Sequence, residues 1–301
     1  MLVAALAALS AAALFAVATA LQHRSAGLIT EAGTRRTGRV GGFVSKTLRH
    51  TLWIAGSIAD IGGLGLHALA LRDGPLTLVQ PLLVTGVVFA LPLRQLLERR
   101  RPRRDELGWA AVLGVGLVLF LAISTPAGGS PQAADPIPTV LCVVAIGLAI
   151  IGCAIAGRRS TGNRAAATLG VAAGLAFAAT AGLLKAAMDT LNRGLGPLLA
   201  TWPLYALVVV GAVGLLLNQL AYQAAPLRFS LPAITTIDPI VSLIIGVAVF
   251  DEKFRNGPPY LLGETIGLAL VIAGAVGLAR SDPDSPQPQT RSSFERTVLH
   301  P

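Results

Sequence analysis

The 301-residue chain is 53% hydrophobic and only 13% charged, with a net charge of +9 and a mean hydropathy of +0.69. Soluble domains carry about 25% charged residues, so the composition excludes an ordinary soluble globule and points to an all-α polytopic membrane protein. A basic balance of this size would suggest nucleic acid in a soluble chain. Here the arginines fall between apolar runs and the few aromatics do not interleave with them, so no nucleic-acid partner is expected.

About 20 apolar residues cross a bilayer as a helix. Nine segments of that kind are read along the chain: Leu2–Leu21, Thr51–Leu71, Pro75–Leu93, Leu107–Ile123, Thr139–Gly157, Ala165–Met188, Pro197–Ala224, Leu227–Phe250 and Pro259–Leu278. The first ends in Ala18-Thr19-Ala20, which resembles a signal-peptide cleavage site, but its basic residues follow rather than precede it. It reads as an uncleaved helix with its N-terminus outside. Cys142 and Cys153 share the fifth segment, 11 residues apart. At 1.5 Å per residue they stand about 16 Å from each other, too far for a disulfide, and they read as packing residues.

Charge sets the orientation. With the N-terminus outside, the inner loops 22–50, 94–106 and 158–164, Arg228 and the tail from Arg280 hold 19 Lys and Arg, against 5 on the outer side. That split satisfies the positive-inside rule. The tail 280–301, rich in Pro, Gln, Ser and Asp, is expected to be disordered and cytoplasmic. The outer triplet Asp251-Glu252-Lys253 reads as a solvated loop.

The chain repeats itself. Pro75-Leu76 precedes Pro81 as Pro226-Leu227 precedes Pro232, at an offset of 151 residues that also pairs Thr85 with Thr236, Ala70 with Ala221 and His67 with Asn218. The first and sixth segments align through Phe15 and Phe177, with His23 falling opposite Lys185. The plan is four helices, a lone fifth, then four more: a first repeat over 1–123, a linker and fifth helix over 124–164, and a second repeat over 165–279. Because the first segment runs outward to inward and the sixth inward to outward, the second repeat is inverted. Inverted repeats with proline-interrupted helices at matching places are the architecture of alternating-access carriers. Pro75, Pro81, Pro226, Pro232 and Pro239 are the expected kinks.

The small-residue first helix, Ala70-Leu71 through Pro75-Leu76-Thr77-Leu78-Val79-Gln80-Pro81-Leu82, Leu217-Asn218-Gln219-Leu220-Ala221, Val249-Phe250-Asp251-Glu252-Lys253-Phe254 and Gly263-Glu264-Thr265-Ile266-Gly267 resemble the drug/metabolite transporter superfamily. Within it they look like the nine-helix NIPA-type magnesium-transporter-like branch. The resemblance covers nearly the whole chain except the tail. It implies a secondary transporter, with magnesium or another divalent cation as substrate.

Ionisable residues inside a membrane are costly and mark function by default. Asp60 and Asp238 fall near the middle of their helices, and His67 lies on the face of Asp60, nearer the outside. Two carboxylates with carbonyls and water suit a hydrated Mg²⁺; the same acids suit proton relay or an organic cation. The candidate substrate site is Asp60, His67, Gln80, Asn218, Gln219, Thr236 and Asp238, with Tyr222 and Gln223 as further cavity liners. Lys185 and Glu264, near the outer ends of their helices, form a candidate gate, although Lys185 is expected to snorkel to the headgroups. No phosphate loop, catalytic triad or zinc signature is read, so neither an enzyme nor a cofactor is expected. The alternatives are a proton-coupled exporter of a small organic metabolite or drug, and a membrane scaffold without transport. Arginine's excess over lysine suggests a bacterial plasma membrane, and a homodimer is open.

Overall fold

The computed structural model describes residues 1–33, 51–98, 103–123, 136–225, 227–253 and 258–281. These form helices α1 (Leu2–Gly33), α2 (Thr51–Asp73), α3 (Leu76–Leu83), α4 (Gly86–Glu98), α5 (Arg104–Ile123), α6 (Pro136–Arg159), α7 (Gly162–Leu191), α8 (Leu195–Ala200), α9 (Trp202–Ala224), α10 (Leu227–Phe250) and α11 (Pro258–Ser281). Among the described residues, eight helices are long and apolar enough to cross a membrane. The chain is a multi-pass α-helical membrane protein.

Three expected boundaries change. The third expected crossing is not one helix but two, α3 and α4, parted at Val84 and Thr85. Pro81 removes an N–H from the end of α3 and crowds the Thr77 carbonyl, and the Thr85 hydroxyl and N–H both turn back to the Leu82 carbonyl, at 2.6 and 3.1 Å. The seventh is likewise preceded by the short α8, ended by extended Thr201 at φ −88°, ψ 136°. Here α9 restarts with Pro203 in its first turn, where a missing N–H costs nothing. In the expected inner loop 22–50, helix α1 continues to Gly33. By contrast α10 runs unbroken through Pro232 and Pro239, and the Thr235 hydroxyl takes up the Leu231 carbonyl at 2.9 Å. Pro226, the linker 124–135 and the tail beyond Ser281 lie outside the described residues.

The most buried span is α7, with 61% of its apolar window inside the protein. It is lined with Ala and Gly, which let partner helices approach closely. Helix α10 lies along it: a Cβ on Gly170 would stand 2.9 Å from the Ser230 carbonyl, and one on Gly174 3.0 Å from the Ile237 Cβ. Helix α9 packs on another side of α7, α1 packs on α2, and α5 pairs with α11. Helix α6 touches mainly α7, and only 6% of its apolar window is buried. The central apolar cluster joins Leu71, Leu76, Val79 and Leu82 to Leu184, Ile245 and Phe250.

Positions that the expected repeat pairs make similar contacts. A Cβ on Gly63 of α2 would meet the Phe15 ring of α1 at 2.8 Å, and one on Gly214 of α9 would meet the Phe177 ring of α7 at 3.2 Å. Gly86 of α4 faces Ala12 of α1, while its counterpart Ile237 of α10 faces Gly174 of α7. At the second contact the glycine has changed sides, so the bulk is supplied by the other helix.

Candidate functional site

Helix α3 begins at Leu76 after Pro75, an extended residue at φ −71°, ψ 150° that offers no side-chain cap. The first N–H groups of any helix lack partners within it, and here Leu76 and Thr77 are buried. Glu252 supplies what is missing. Its carboxylate accepts the Leu76 N–H at 2.6 Å and the Thr77 N–H at 2.9 Å. A carboxylate at a helix N-terminus also meets the positive end of the helix dipole.

Asp251 makes this reach possible. It adopts the left-handed region at φ 51°, which Asp tolerates better than most residues. The chain reverses there, and the Glu252 N–H returns to the Gly246 carbonyl at 3.0 Å. Gly246 is required by proximity, since a Cβ there would lie 2.6 Å from Glu252 Oε2. The expectation of a solvated Asp251-Glu252-Lys253 loop is therefore corrected at its centre: Glu252 has a fully buried side chain.

Lys185 completes the junction. Its Nζ lies 3.9 Å from Glu252 Oε1, with only 5% of the side chain exposed. It donates to the Gly74 carbonyl at 3.2 Å and the Leu71 carbonyl at 3.4 Å, where the end of α2 is negative. It also sits 5.4 Å from the Phe250 ring centroid, within cation–π range. Snorkelling is thus corrected: the ammonium finds carbonyls and a carboxylate inside the protein, a better environment than the long route to the headgroups. The acid on Lys185 is Glu252, whereas Glu264, the expected gate partner, is buried near the start of α11. Beside the junction, Arg72 Nε donates to Asn192 Oδ1 at 2.9 Å, again joining the ends of α2 and α7.

A second polar group lies between α2 and α3. His67 and Gln80, both buried, approach at 3.5 Å between the Nε2 atoms, and the Phe15 ring meets the imidazole edge-on with centroids 6.4 Å apart. The Thr77 hydroxyl is buried one turn before Gln80, without a hydrogen-bond partner among the described residues. Of the expected site, the structure therefore brings together His67 and Gln80.

Of the other candidates, Asn218 and Tyr222 share a side-chain hydrogen bond one turn apart on α9, and the rest are spread out. Asp60 is half-buried on α2, which packs chiefly on α1; Asp238 is half-buried on α10, which packs chiefly on α7. Ser242 Oγ donates to Asp238 Oδ1 at 3.3 Å, one turn along the same helix. No group of three or more His, Cys, Asp or Glu stands together among the described residues. Asn218 is half-buried, its Oδ1 enclosed without a hydrogen-bond partner among the described residues. Thr236 and Tyr222 are half-buried too. Gln219 and Gln223 are exposed, on the α9 face that also carries Val209 and Leu216, and so do not line an interior cavity.

Glu252 was missed because a charged triplet after an apolar helix looks solvated. One signal was available: a helix beginning Pro-Leu-Thr inside a membrane protein has no cap of its own, and its N–H groups need an acceptor from elsewhere.

Fold and site together define a multi-pass membrane protein with buried charge at the junction of α2 and α3. The chain is 30% identical over 276 residues to an uncharacterized protein of Corynebacterium glutamicum, a match covering 90% of this chain and 95% of the relative, and it belongs to that protein's family. No family model and no solved structure matches it.

Proposed function

We propose that the chain is a secondary transporter of the drug/metabolite type, moving a small solute or a divalent cation by alternating access between inverted halves. The observation that carries this reading is the matched packing of the repeats. Phe15 on Gly63 and Phe177 on Gly214 are the same contact in two places, as are Ala12 with Gly86 and Gly174 with Ile237. Two similar units, each a first helix holding its second and third, can exchange conformations about a shared centre, the general design of such carriers. The buried polar groups His67, Gln80 and Thr77 add support, since polar side chains at membrane depth belong to protein interiors and pathways. In this reading the third crossing is completed by α3 and α4 together, giving nine, with the N-terminus outside a bacterial plasma membrane. The chain performs no chemistry of its own.

The test is Mg²⁺ entry into proteoliposomes holding a trapped indicator, with and without a pH gradient, beside Asp60→Asn and Asp238→Asn. Entry that both substitutions abolish supports a divalent cation handled by these acids. Proton movement driven by added organic solutes, lost in Asp238→Asn, supports a proton-coupled exporter instead. A folded protein that moves neither removes the transport reading and leaves the scaffold.

A further inference from the structure

We propose that the Lys185–Glu252 junction is a gate, which holds one end of the bundle shut and must break for that end to open. The inference rests on the alternating-access reading above, and charge bias assigns this end to the outside.

Four features point to a gate rather than to general support. The junction spans both repeats: Lys185 and Glu252 belong to the second, and the backbone groups they hold, the Leu71 and Gly74 carbonyls and the Leu76 and Thr77 N–H groups, belong to the first. It lies at the break between α2 and α3, where no continuous helix resists separation. It works by polar contacts that water can replace. Once the carboxylate withdraws, the freed N–H and carbonyl groups become hydrated, whereas a greasy seal would expose apolar surface. Finally, the repeat itself does not demand it. At the repeat's offset of 151 residues Glu252 falls opposite Arg101, whose guanidinium cannot accept a backbone N–H. The reach across the bundle is therefore a property of Glu252. In the structure this end is closed.

The experiment measures access, not transport. Thr77→Cys, at a site 1% exposed beside Glu252, is introduced into the full-length chain carrying Cys142→Ser and Cys153→Ser. Its reaction with a membrane-impermeant maleimide is followed in membrane fragments open at both faces, without added solute. Ser230→Cys, fully buried where α10 meets Gly170, is the control. If the junction is a gate with an open state populated in the usual minor range, Glu252→Gln and Lys185→Met each raise labelling at position 77 by about tenfold, while labelling at position 230 stays slow. Unchanged labelling at 77 in both folded variants overturns the gate, and so does equal acceleration at 77 and 230, which marks general loosening. The proteoliposome result decides transport separately, so either proposal can fail alone.

Discussion

Lys185 and Glu252 meet at 3.9 Å with side chains 5% and 0% exposed, and each also serves a helix end: Lys185 the carboxyl end of α2, Glu252 the amino end of α3. Two desolvated ions at that separation gain too little from each other to offset burial. The helix ends make up the difference. The pair is thus a four-part junction, and its parts respond together to substitution.

Removing one partner of a buried pair costs about 3–5 kcal/mol, because the other charge stays buried. Glu252→Gln and Lys185→Met are each expected to lower stability toward that range in detergent-monitored unfolding. The double variant is expected to fall short of their sum by roughly 0.5–3 kcal/mol, the usual coupling of residues in contact. Strict additivity would show that the two side chains act independently.

Gly246→Ala and Gly65→Ala are chemically identical and should behave oppositely. At Gly246 the new methyl would lie 2.6 Å from Glu252 Oε2 and 2.8 Å from Thr77 Cγ2, whereas at Gly65 nothing lies within 4 Å. Overpacking of the first kind costs about 1–3 kcal/mol; the second gains up to about 1 kcal/mol of helix propensity. Thermal unfolding of the two variants side by side checks the sign of each.

The paired aromatic contacts offer a test of the repeat. Gly63→Ala drives a methyl to 2.8 Å from the Phe15 ring, and Gly214→Ala to 3.2 Å from the Phe177 ring. Both are expected to destabilise, Gly63→Ala by about 1–3 kcal/mol and Gly214→Ala by less. Phe15→Leu is expected to recover part of the Gly63→Ala loss and none of the Gly214→Ala loss. Unfolding of the two double variants reads this directly.

His67→Phe keeps a ring against Phe15 but abandons Gln80, from which the imidazole is 3.5 Å away. Leaving a buried polar group unpartnered costs about 1–3 kcal/mol. If His67 and Gln80 contact the solute, that becomes roughly a five- to hundred-fold loss of apparent affinity. Concentration-dependent uptake checks it; an unchanged half-saturation with an intact fold would place these residues outside the pathway.

Membrane residence and the approximate course of most spans were legible in the sequence, because in a bilayer hydropathy is a one-dimensional property of the chain. So was the importance of the proline-containing stretch at 75–81. Its consequence was not: Pro81 and Thr85 break the third crossing, whereas Pro232 and Pro239 leave α10 whole. A proline's place in an apolar run does not by itself say whether the helix goes on through it.

Charges were harder still. Asp60 and Asp238 looked paired by depth, yet α2 packs chiefly on α1 and α10 chiefly on α7; Glu252 looked solvated, yet it is sealed against N–H groups 175 and 176 residues away in sequence. The sequence by itself determined that the chain is a multi-pass membrane protein and roughly where its apolar helices lie. Only the tertiary structure decided which charge meets which helix end, because such partners are chosen by the packing of helices distant in the chain.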